Sequence, residues 1–385
     1  MIKRLLEHKI KELGTKFPVI FIAGPRQSGK TTLAKALFPH KPYVTLENPQ
    51  ERYRAQTDPQ LFLSDYATGA IIDEVQRVPE LLSYLQEKVD NSAEMGKYIL
   101  TGSQNFLLME SVTQSLAGRV AIFRLLPFSM AELPPALSLE ETLFQGQYPA
   151  IFDRQIAPKD YYPNYIETYL ERDIRSLKQI RDLSLFQKFM GLCAGRSGQL
   201  LNLSSLSNET GISHNTAESW ISLLETSFIV FRLQPYHTNF HKRLTKQPKL
   251  YFYDTGILCS LLGVRTPADL THHPLRGSIF ETFILSELVK HQFNQNHRQL
   301  GYFWRDSNGN EIDYLDDNNH PPIPIEIKSS LTVQKDQFKG IRYWKNLQNT
   351  PDLNAYLIYG GDETQTWPQA KAIGWKDSLD SLSTK

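Results

Sequence analysis

Residues 24–31 decide the fold of the N-terminal third, and they are Gly24-Pro25-Arg26-Gln27-Ser28-Gly29-Lys30-Thr31. The run matches the phosphate-loop pattern GxxxxGK[ST], in which backbone N–H groups surround the phosphates of a nucleotide. An apolar strand candidate, residues 17–23, precedes the run, and an amphipathic helix candidate, residues 32–38, follows it. The sequence therefore predicts a nucleotide-binding strand, loop and helix, with the phosphates at the helix N-terminus.

The pattern also assigns roles to single residues of the loop. Lys30 is expected at the β- and γ-phosphates, and the Thr31 hydroxyl is expected on Mg²⁺. The remaining predicted nucleotide contacts in this region are Gly24, Pro25, Arg26, Gln27, Ser28, Gly29 and Thr32.

A short apolar strand candidate downstream of the loop ends in two carboxylates, in the run Ala70-Ile-Ile-Asp73-Glu74. Asp73 at the strand tip can hold Mg²⁺, directly or through water, and Glu74 can orient or deprotonate the attacking water. Acidic pairs after apolar runs are common in proteins. The assignment of Asp73 and Glu74 to nucleotide hydrolysis therefore depends on the phosphate loop that precedes them in the chain. Together the two motifs predict nucleotide hydrolysis, with Lys30 and Glu74 as catalytic residues.

These motifs and several others resemble the AAA+ ATPases, and in particular a prokaryotic group whose C-terminal half is a domain of unknown function. The matching stretches extend along nearly the whole chain and are residues 24–31, 71–77, 100–104, 115–119, 169–173, 252–256, 311–313 and 326–328. The resemblance implies ATP and Mg²⁺ as cofactors. It also implies hydrolysis completed between subunits of a homo-oligomer, namely a hexameric ring.

The same resemblance suggests further residues of the ATP site. Arg119 resembles the arginine finger that a neighbouring subunit's nucleotide receives, a role that suits a guanidinium; a surface or structural arginine remains the alternative. Arg172 resembles a second sensor, or it pairs with an adjacent acid. The sensor of the γ-phosphate has three candidates, which the sequence does not separate: Thr101, Ser103 and Gln104.

Composition sets the class of protein. The chain has 385 residues, 41% of them hydrophobic, and a formal net charge of +1, which fits a globular protein of two or three domains without a global attraction to nucleic acid or membrane. No run approaches the roughly 18 apolar residues of a membrane helix. Cys193 and Cys259 lie in apolar surroundings and are expected in the core. We expect a cytoplasmic protein with no membrane partner.

Strand and helix candidates divide the chain into three predicted parts. The fold class is α/β: residues 1–160 form an AAA+ core, a parallel sheet with helices on both faces. Residues 161–249 are expected to form a helical lid and winged-helix segment, and residues 250–385 an α/β domain that is nuclease-like by the carboxylate pattern described below.

The middle part contains a helix-turn-helix pattern, with Gly211 ending the first helix and Ser213 capping the second. Such a module can bind duplex DNA through its second helix. That helix begins with His214 and Asn215 and carries no lysine or arginine, so a role as a lid on the ATPase or in protein contacts remains open. The basic residues available for DNA phosphates lie in the predicted wing: His241, Lys242, Arg243, Lys246 and Lys249.

The last third holds a carboxylate pattern that resembles the PD-(D/E)xK nucleases. Glu281 lies in an apolar helix candidate, Asp313 in a hairpin strand, and Glu326-Ile-Lys328 in the next strand. The resemblance implies a second Mg²⁺ or Mn²⁺ held by the three carboxylates, with Lys328 orienting the attacking water. The usual proline before the strand aspartate is absent, since Ile312 stands there. A polar network without cleavage is therefore the alternative.

The combined expectation is an ATP-driven AAA+ motor that binds and remodels DNA, including branched or junction DNA. Two alternatives stay open. One is a nucleotide-dependent regulatory switch that acts through protein contacts, and the other is an ATP-regulated, metal-dependent nuclease.

Overall fold

The computed structural model describes residues 2–102, 112, 114–134, 138–170, 182–236 and 246–378. In the N-terminal part five strands form one sheet of order β2-β3-β4-β1-β5, in which every pairing is parallel. The strands are β1 (Val19–Ala23), β2 (Tyr43–Thr45), β3 (Ala70–Asp73), β4 (Tyr98–Gly102) and β5 (Val120–Arg124). The predicted α/β class with a parallel sheet is confirmed for this part.

Helices cover both faces of this sheet, and the alternation of side chains along β1 shows why. Val19 and Phe21 face one apolar cluster, while Ile20 and Ile22 face another. A parallel strand buried on both faces is apolar throughout, as β1 is. The helices of this part are α1 (Leu6–Gly14), α2 (Lys30–Leu37), α3 (Pro49–Thr57), α4 (Pro59–Ser64) and α5 (Leu81–Asp90).

A helical region follows. Its helices are α6 (Leu139–Gln145), α7 (Pro149–Asp153), α8 (Pro158–Tyr165), α9 (Leu183–Ala194), α10 (Leu203–Thr210) and α11 (His214–Thr226). The predicted caps are confirmed: α10 ends at Gly211 in the left-handed region, with φ +86°, and Ser213 Oγ accepts a 3.1 Å bond from Thr216 N at the start of α11. Trp220 on the buried face of α11 packs against the rings of Phe186 and Phe189.

An eight-stranded sheet forms the C-terminal part, in the order β12-β13-β11-β10-β9-β8-β6-β7. Its strands are β6 (Val230–Pro235), β7 (Lys249–Phe252), β8 (Tyr302–Arg305), β9 (Glu311–Asp316), β10 (Ile323–Lys328), β11 (Tyr356–Tyr359), β12 (Gln365–Thr366) and β13 (Lys371–Gly374). β6 pairs with β7 along most of its length and with β8 at its end. The sheet thus crosses the expected boundary between residues 249 and 250.

The helices of the C-terminal part are α12 (Thr255–Leu261), α13 (Pro267–Leu270), α14 (Arg276–Asn294) and α15 (Lys339–Gln348). α14 is the central one and buries most of its residues, including Glu287 and Lys290. Glu287 accepts hydrogen bonds from Met130 N at 2.7 Å and Gln147 Nε2 at 2.8 Å, so α14 is anchored to the segment that follows β5. No helix among the described residues has both the length and the apolarity needed to cross a membrane.

Candidate ATP site and C-terminal carboxylate cluster

The phosphate loop leaves the carboxyl end of β1, a central strand, and its backbone requires glycine at two points. A Cβ on Gly24 would lie 2.1 Å from Leu125 O, so the loop passes the adjacent chain too closely for any side chain. Gly29, which precedes α2, has φ +92°, a conformation that other residues adopt only with strain. Ser28 Oγ closes the loop with a 2.8 Å bond to Pro25 O.

Lys30 lies inside this loop. Its side chain is buried, and Nζ donates to Gly24 O at 3.0 Å and Pro25 O at 2.7 Å. Both of these acceptors are neutral carbonyl groups. The loop therefore holds a positive charge where the pattern expects phosphates.

Asp73 is the centre of a set of hydroxyl groups at the end of β3. Its Oδ2 accepts from Thr31 Oγ1 at 3.1 Å and from Tyr43 OH at 2.8 Å, and its Oδ1 accepts from Thr101 Oγ1. Burial, and next the Asp73 carboxylate, raise the pKa of Tyr43 to about 12, so its hydroxyl stays protonated and donates. The predicted partners Thr31 and Asp73 are thus brought together.

Glu74 directly follows β3 and has φ +58°, a left-handed conformation that is uncommon for a glutamate. Strained backbone of this kind is concentrated at functional sites. Its Oε2 accepts from Gln76 Nε2, and its side chain lines the same cavity as Lys30 and Thr31.

This cavity has a volume of about 570 Å³, within the usual range of small-molecule sites. Its lining includes the predicted contacts Arg26, Gln27, Ser28, Gly29 and Thr32. Oxygen ligands are what Mg²⁺ prefers, and the Thr31 hydroxyl and Asp73 carboxylate supply two of them side by side. The residues present therefore fit a nucleotide with its Mg²⁺.

Four residues of the site were missed by sequence reasoning. Tyr43 contacts Asp73, Tyr161 OH donates to Gln27 Oε1 at 2.9 Å, and Arg4 and Arg154 line the cavity. The four lie outside the recognised motifs, and only the fold brings them to the loop.

Arg119 does not line this cavity in its own chain. It lies partly exposed just before β5, and its guanidinium pairs with Asp90 through two bonds, one of them 2.9 Å from Nη2 to Oδ2. Of the sensor candidates, Thr101 is buried and bonded to Asp73. Ser103, Gln104 and Arg172 lie outside the described residues, as do His241, Lys242 and Arg243.

The predicted C-terminal residues do come together, but lysines lie between them. Lys328 Nζ is 2.8 Å from Asp313 Oδ2 and 2.7 Å from Glu326 Oε2, and Ile327 N also donates to Asp313 Oδ2 at 2.8 Å. Burial opposes the charge on Asp313, but Lys328 and Lys249 outweigh it and lower the pKa of Asp313 to about 2. Burial, then repulsion from Asp313, raises the pKa of Glu326.

Glu281 belongs to a second set of contacts, held by Lys249 at the start of β7. Lys249 Nζ is 3.2 Å from Glu281 Oε1 and 2.5 Å from Glu311 Oε1, and Tyr251 OH also donates to Glu281. Lys249 is only 3% exposed. The prediction that Lys249 contacts DNA phosphates is therefore wrong, because its ammonium is buried and forms ion pairs with two carboxylates inside the protein.

The second Mg²⁺ or Mn²⁺ is not supported. Among the residues that the structure describes, no three His, Cys, Asp or Glu side chains are grouped so as to hold a metal ion. The physical reason at Glu281, Asp313 and Glu326 is that the lysine ammonium groups already occupy the space between the carboxylates.

Family models match three successive stretches of this chain. An AAA domain matches residues 16–134, the domain of unknown function DUF8612 matches residues 136–268, and the domain of unknown function DUF4143 matches residues 276–377. The first match contains the phosphate loop, Asp73 and Glu74. The chain thus carries an AAA-type P-loop domain.

Among solved structures, the Walker-type ATPase of Pyrococcus abyssi is 14% identical with a TM-score of 0.41, over 68% of this chain and 96% of that one. A signal-transduction ATPase with numerous domains and a tetratricopeptide repeat sensor, from Pyrococcus horikoshii, is 11% identical with a TM-score of 0.24, over 76% of this chain and 47% of that one. Neither likeness is close enough to assign a function to this chain.

The relatives in sequence match over most of the chain. An uncharacterized protein of Mycobacterium tuberculosis is 30% identical over 318 residues, which are 82% of this chain and 71% of that protein. An uncharacterized protein of Mycobacterium bovis matches with the same identity and coverage. This chain therefore belongs to the family of these mycobacterial proteins.

Proposed function

We propose that this protein is an ATP hydrolase. The observation that carries the proposal is the cavity at the phosphate loop, which Lys30, Thr31 and Glu74 line and where Thr31 bonds to Asp73. Lys30 binds the β- and γ-phosphates, and Glu74 accepts a proton from the attacking water. Tyr43 and Thr101 hold the Asp73 carboxylate in place through its two oxygens. Mg²⁺ held by Thr31 and Asp73 would neutralise charge on the phosphates.

Phosphate release from MgATP by the full chain tests this proposal. We expect turnover in the wild type and its loss in Glu74→Gln. Glu80→Gln, a change at an exposed acid close by in sequence, is the matched control and should turn over ATP as the wild type does. A wild-type protein that binds no nucleotide contradicts the proposal.

The second part of the proposal is that hydrolysis is completed between subunits of a homo-oligomer, a hexameric ring. Its support is the place of Arg119, which lies partly exposed and away from the ATP cavity of its own chain. Mixing Arg119→Ala subunits with Lys30→Ala subunits should restore part of the lost turnover, because one kind of mixed interface pairs an intact loop with an intact arginine. Full turnover in a protein that sediments as a monomer contradicts this part.

The third part of the proposal is that the energy of ATP hydrolysis is used to remodel DNA, with branched or junction DNA as the preferred form. Support comes from the helix-turn-helix pair α10 and α11, followed by the antiparallel strands β6 and β7, which is the element order of a winged helix. The exposed start of α11 offers His214 and Asn215. Arg232 on β6 is paired with Glu218 and Glu225 of α11, so its own charge is not available to DNA.

ATP turnover measured with single-stranded, duplex and four-way-junction DNA tests whether DNA is the substrate that the protein acts on. We expect stimulation that falls steeply with salt and does not depend on base sequence, since phosphate contacts dominate. Turnover unaffected by all three DNA forms favours instead the regulatory switch that acts through protein contacts.

For the C-terminal part we propose a nuclease-like fold that does not cleave DNA. Its support is that Lys328 and Lys249 neutralise the carboxylates that a nuclease keeps for its metal. Titration of Mn²⁺ into the Asp73→Ala protein, which lacks the metal ligand of the ATP site, should show no Mn²⁺ binding by calorimetry. Cleavage of any DNA form in Mn²⁺ that is lost in Asp313→Ala contradicts this part.

A further inference from the structure

Arg4 is a buried cation at the back of the phosphate loop. It precedes α1, is 5% exposed, and lines the ATP cavity. Its guanidinium lies over the ring of Phe128, 4.7 Å from the centroid. An arginine this deeply buried needs partners for its donors.

Its partners are two backbone carbonyl groups and one carboxylate. Nη1 donates to Ser28 O at 2.8 Å, Nη2 to Leu126 O at 2.7 Å, and Nε to Glu132 Oε1 at 3.0 Å. Because the guanidinium is a rigid planar fork, these bonds fix the positions of their acceptors relative to one another. One planar group thus ties the phosphate loop to the segment that follows β5.

Glu132 keeps Arg4 in this place. Its side chain is 1% exposed, and it also accepts from Leu5 N at 2.7 Å and from Ser129 N at 2.9 Å. The carboxylate is therefore held by backbone groups on both sides of the pair.

The bond to Ser28 O has a consequence for the next N–H. In a planar trans peptide the carbonyl oxygen and the following N–H point in opposite directions. Arg4 holds the Ser28 carbonyl toward itself, so the Gly29 N–H must point away from Arg4. That N–H belongs to the GxxxxGK[ST] loop, whose backbone donors bind phosphate. Glycine is the residue with the widest choice of backbone conformations, so Gly29, with φ +92°, is a position where a bond from outside the loop helps to fix the orientation of the peptide.

We propose that Arg4 is a positioning residue for the nucleotide phosphates, acting through the Ser28–Gly29 peptide. This inference depends on the ATP site proposed above. Phosphates contact the loop before and during the reaction, so loss of Arg4 weakens MgADP and MgATP alike and changes KM more than kcat.

The test uses Arg4→Met in the full chain, because methionine fills the space beside Phe128 but removes all donors. We expect MgADP to bind about tenfold more weakly by calorimetry, which corresponds to 1.4 kcal/mol. Lys3→Met, at the exposed neighbouring residue, is the matched control and should bind as the wild type. A residue with only a structural role would lower Tm and leave the MgADP affinity of the folded protein unchanged, and that result overturns the proposal.

A second readout is specific for the lost group. Methylguanidinium added to Arg4→Ala should restore MgADP affinity in part, while an equal concentration of potassium chloride should not. If neither Arg4→Met nor Arg4→Ala folds, Arg4→Lys decides, because an ammonium lacks the planar fork that spans the three acceptors. Wild-type affinity in Arg4→Lys then overturns the proposal. Failure of the wild type itself to bind MgADP contradicts the ATP site, which separates the two outcomes.

Discussion

The two clusters of charge in this protein use the same residue types in opposite ways. At the phosphate loop, Lys30 bonds to neutral carbonyl groups and Asp73 to neutral hydroxyl groups. In the C-terminal sheet, Lys328 bonds directly to Asp313 and Glu326. The acceptors described for Lys30 and the donors described for Asp73 are neutral groups, whereas Lys328 forms ion pairs with two carboxylates inside the protein. Proximity of a lysine and an aspartate is thus no indication of a reactive site until their partners are known.

The largest effect is expected for Lys30→Ala. Removal of the ammonium from the loop should lower kcat/KM for MgATP by about a thousandfold or more, with little change in the free energy of unfolding. Phosphate release and urea unfolding measure the two quantities. Lys11→Ala, at an exposed residue of α1, is the control. A large loss of unfolding free energy in Lys30→Ala would show that Lys30, like Lys328, stabilises the fold, and would contradict the difference between the two clusters.

Glu74→Gln should separate binding from chemistry. The amide cannot take a proton from water, so kcat should fall by about 10²–10⁴, while the MgATP affinity stays near that of the wild type because Asp73 and Thr31 remain. Stopped assays with radiolabelled ATP measure turnover, and calorimetry measures binding. Unchanged turnover shows that another group activates the water.

Lys328→Met should have the reverse pattern, a loss of stability without a loss of turnover. Removing one partner leaves Asp313 and Glu326 buried without their cation, which costs about 3 kcal/mol of unfolding free energy. The value is at the low end because the Lys328 side chain is 34% exposed. Urea unfolding measures it, with the exposed Lys335→Met as control.

Acid should weaken the C-terminal cluster within a defined range of pH. The pKa of Asp313, about 2 in the folded protein, lies below its unfolded value of about 3.9, so its contribution is present above about pH 4 and is lost as pH falls toward 2. The raised pKa of Glu326 has the opposite sign, and its contribution is fully present below about pH 4. Unfolding free energy should therefore fall more between pH 4 and pH 2 in the wild type than in Asp313→Asn. Asp352→Asn, at an exposed residue, should follow the wild type.

The smallest effect is expected for Tyr43→Phe. Loss of the hydroxyl removes one of the hydrogen bonds to Asp73, worth about 1 kcal/mol at this partly exposed position, and should raise the Mg²⁺ concentration needed for half-maximal turnover about fivefold. The exposed Tyr53→Phe is the control. No change in Mg²⁺ dependence would show that Thr101 and Thr31 hold Asp73 sufficiently.

The sequence predicts those parts of the site that are contiguous in the chain. The strand, loop and helix around Lys30 form one unit, and the strand ending in Asp73 carries its own apolar pattern, so both motifs could be recognised. Arg4 contacts Ser28, 24 residues further along the chain, and Tyr43 contacts Asp73, 30 residues further along. No local sequence pattern predicts such contacts.

Lys249 shows how a local interpretation fails. It follows several basic residues in sequence, which suggested a role at DNA phosphates, but its partners Glu281 and Glu311 come from other elements of the C-terminal part. The sequence singled out Asp313, Glu326 and Lys328, and these side chains do lie in contact. It did not indicate the ion pairs of Lys249 with Glu281 and Glu311, because Lys249 reaches them only through the position of β7 in the sheet.

The position of β6 in the C-terminal sheet determines where the chain can be truncated. Its last residues, Gln234 and Pro235, cover the edge of β8, so a fragment that starts at residue 250 would expose that edge to other molecules. Such a fragment is expected to aggregate, whereas one that starts before α9 keeps the sheet whole. The helix-turn-helix pair leads directly into β6 and is therefore joined through this strand to the sheet of the last third of the chain.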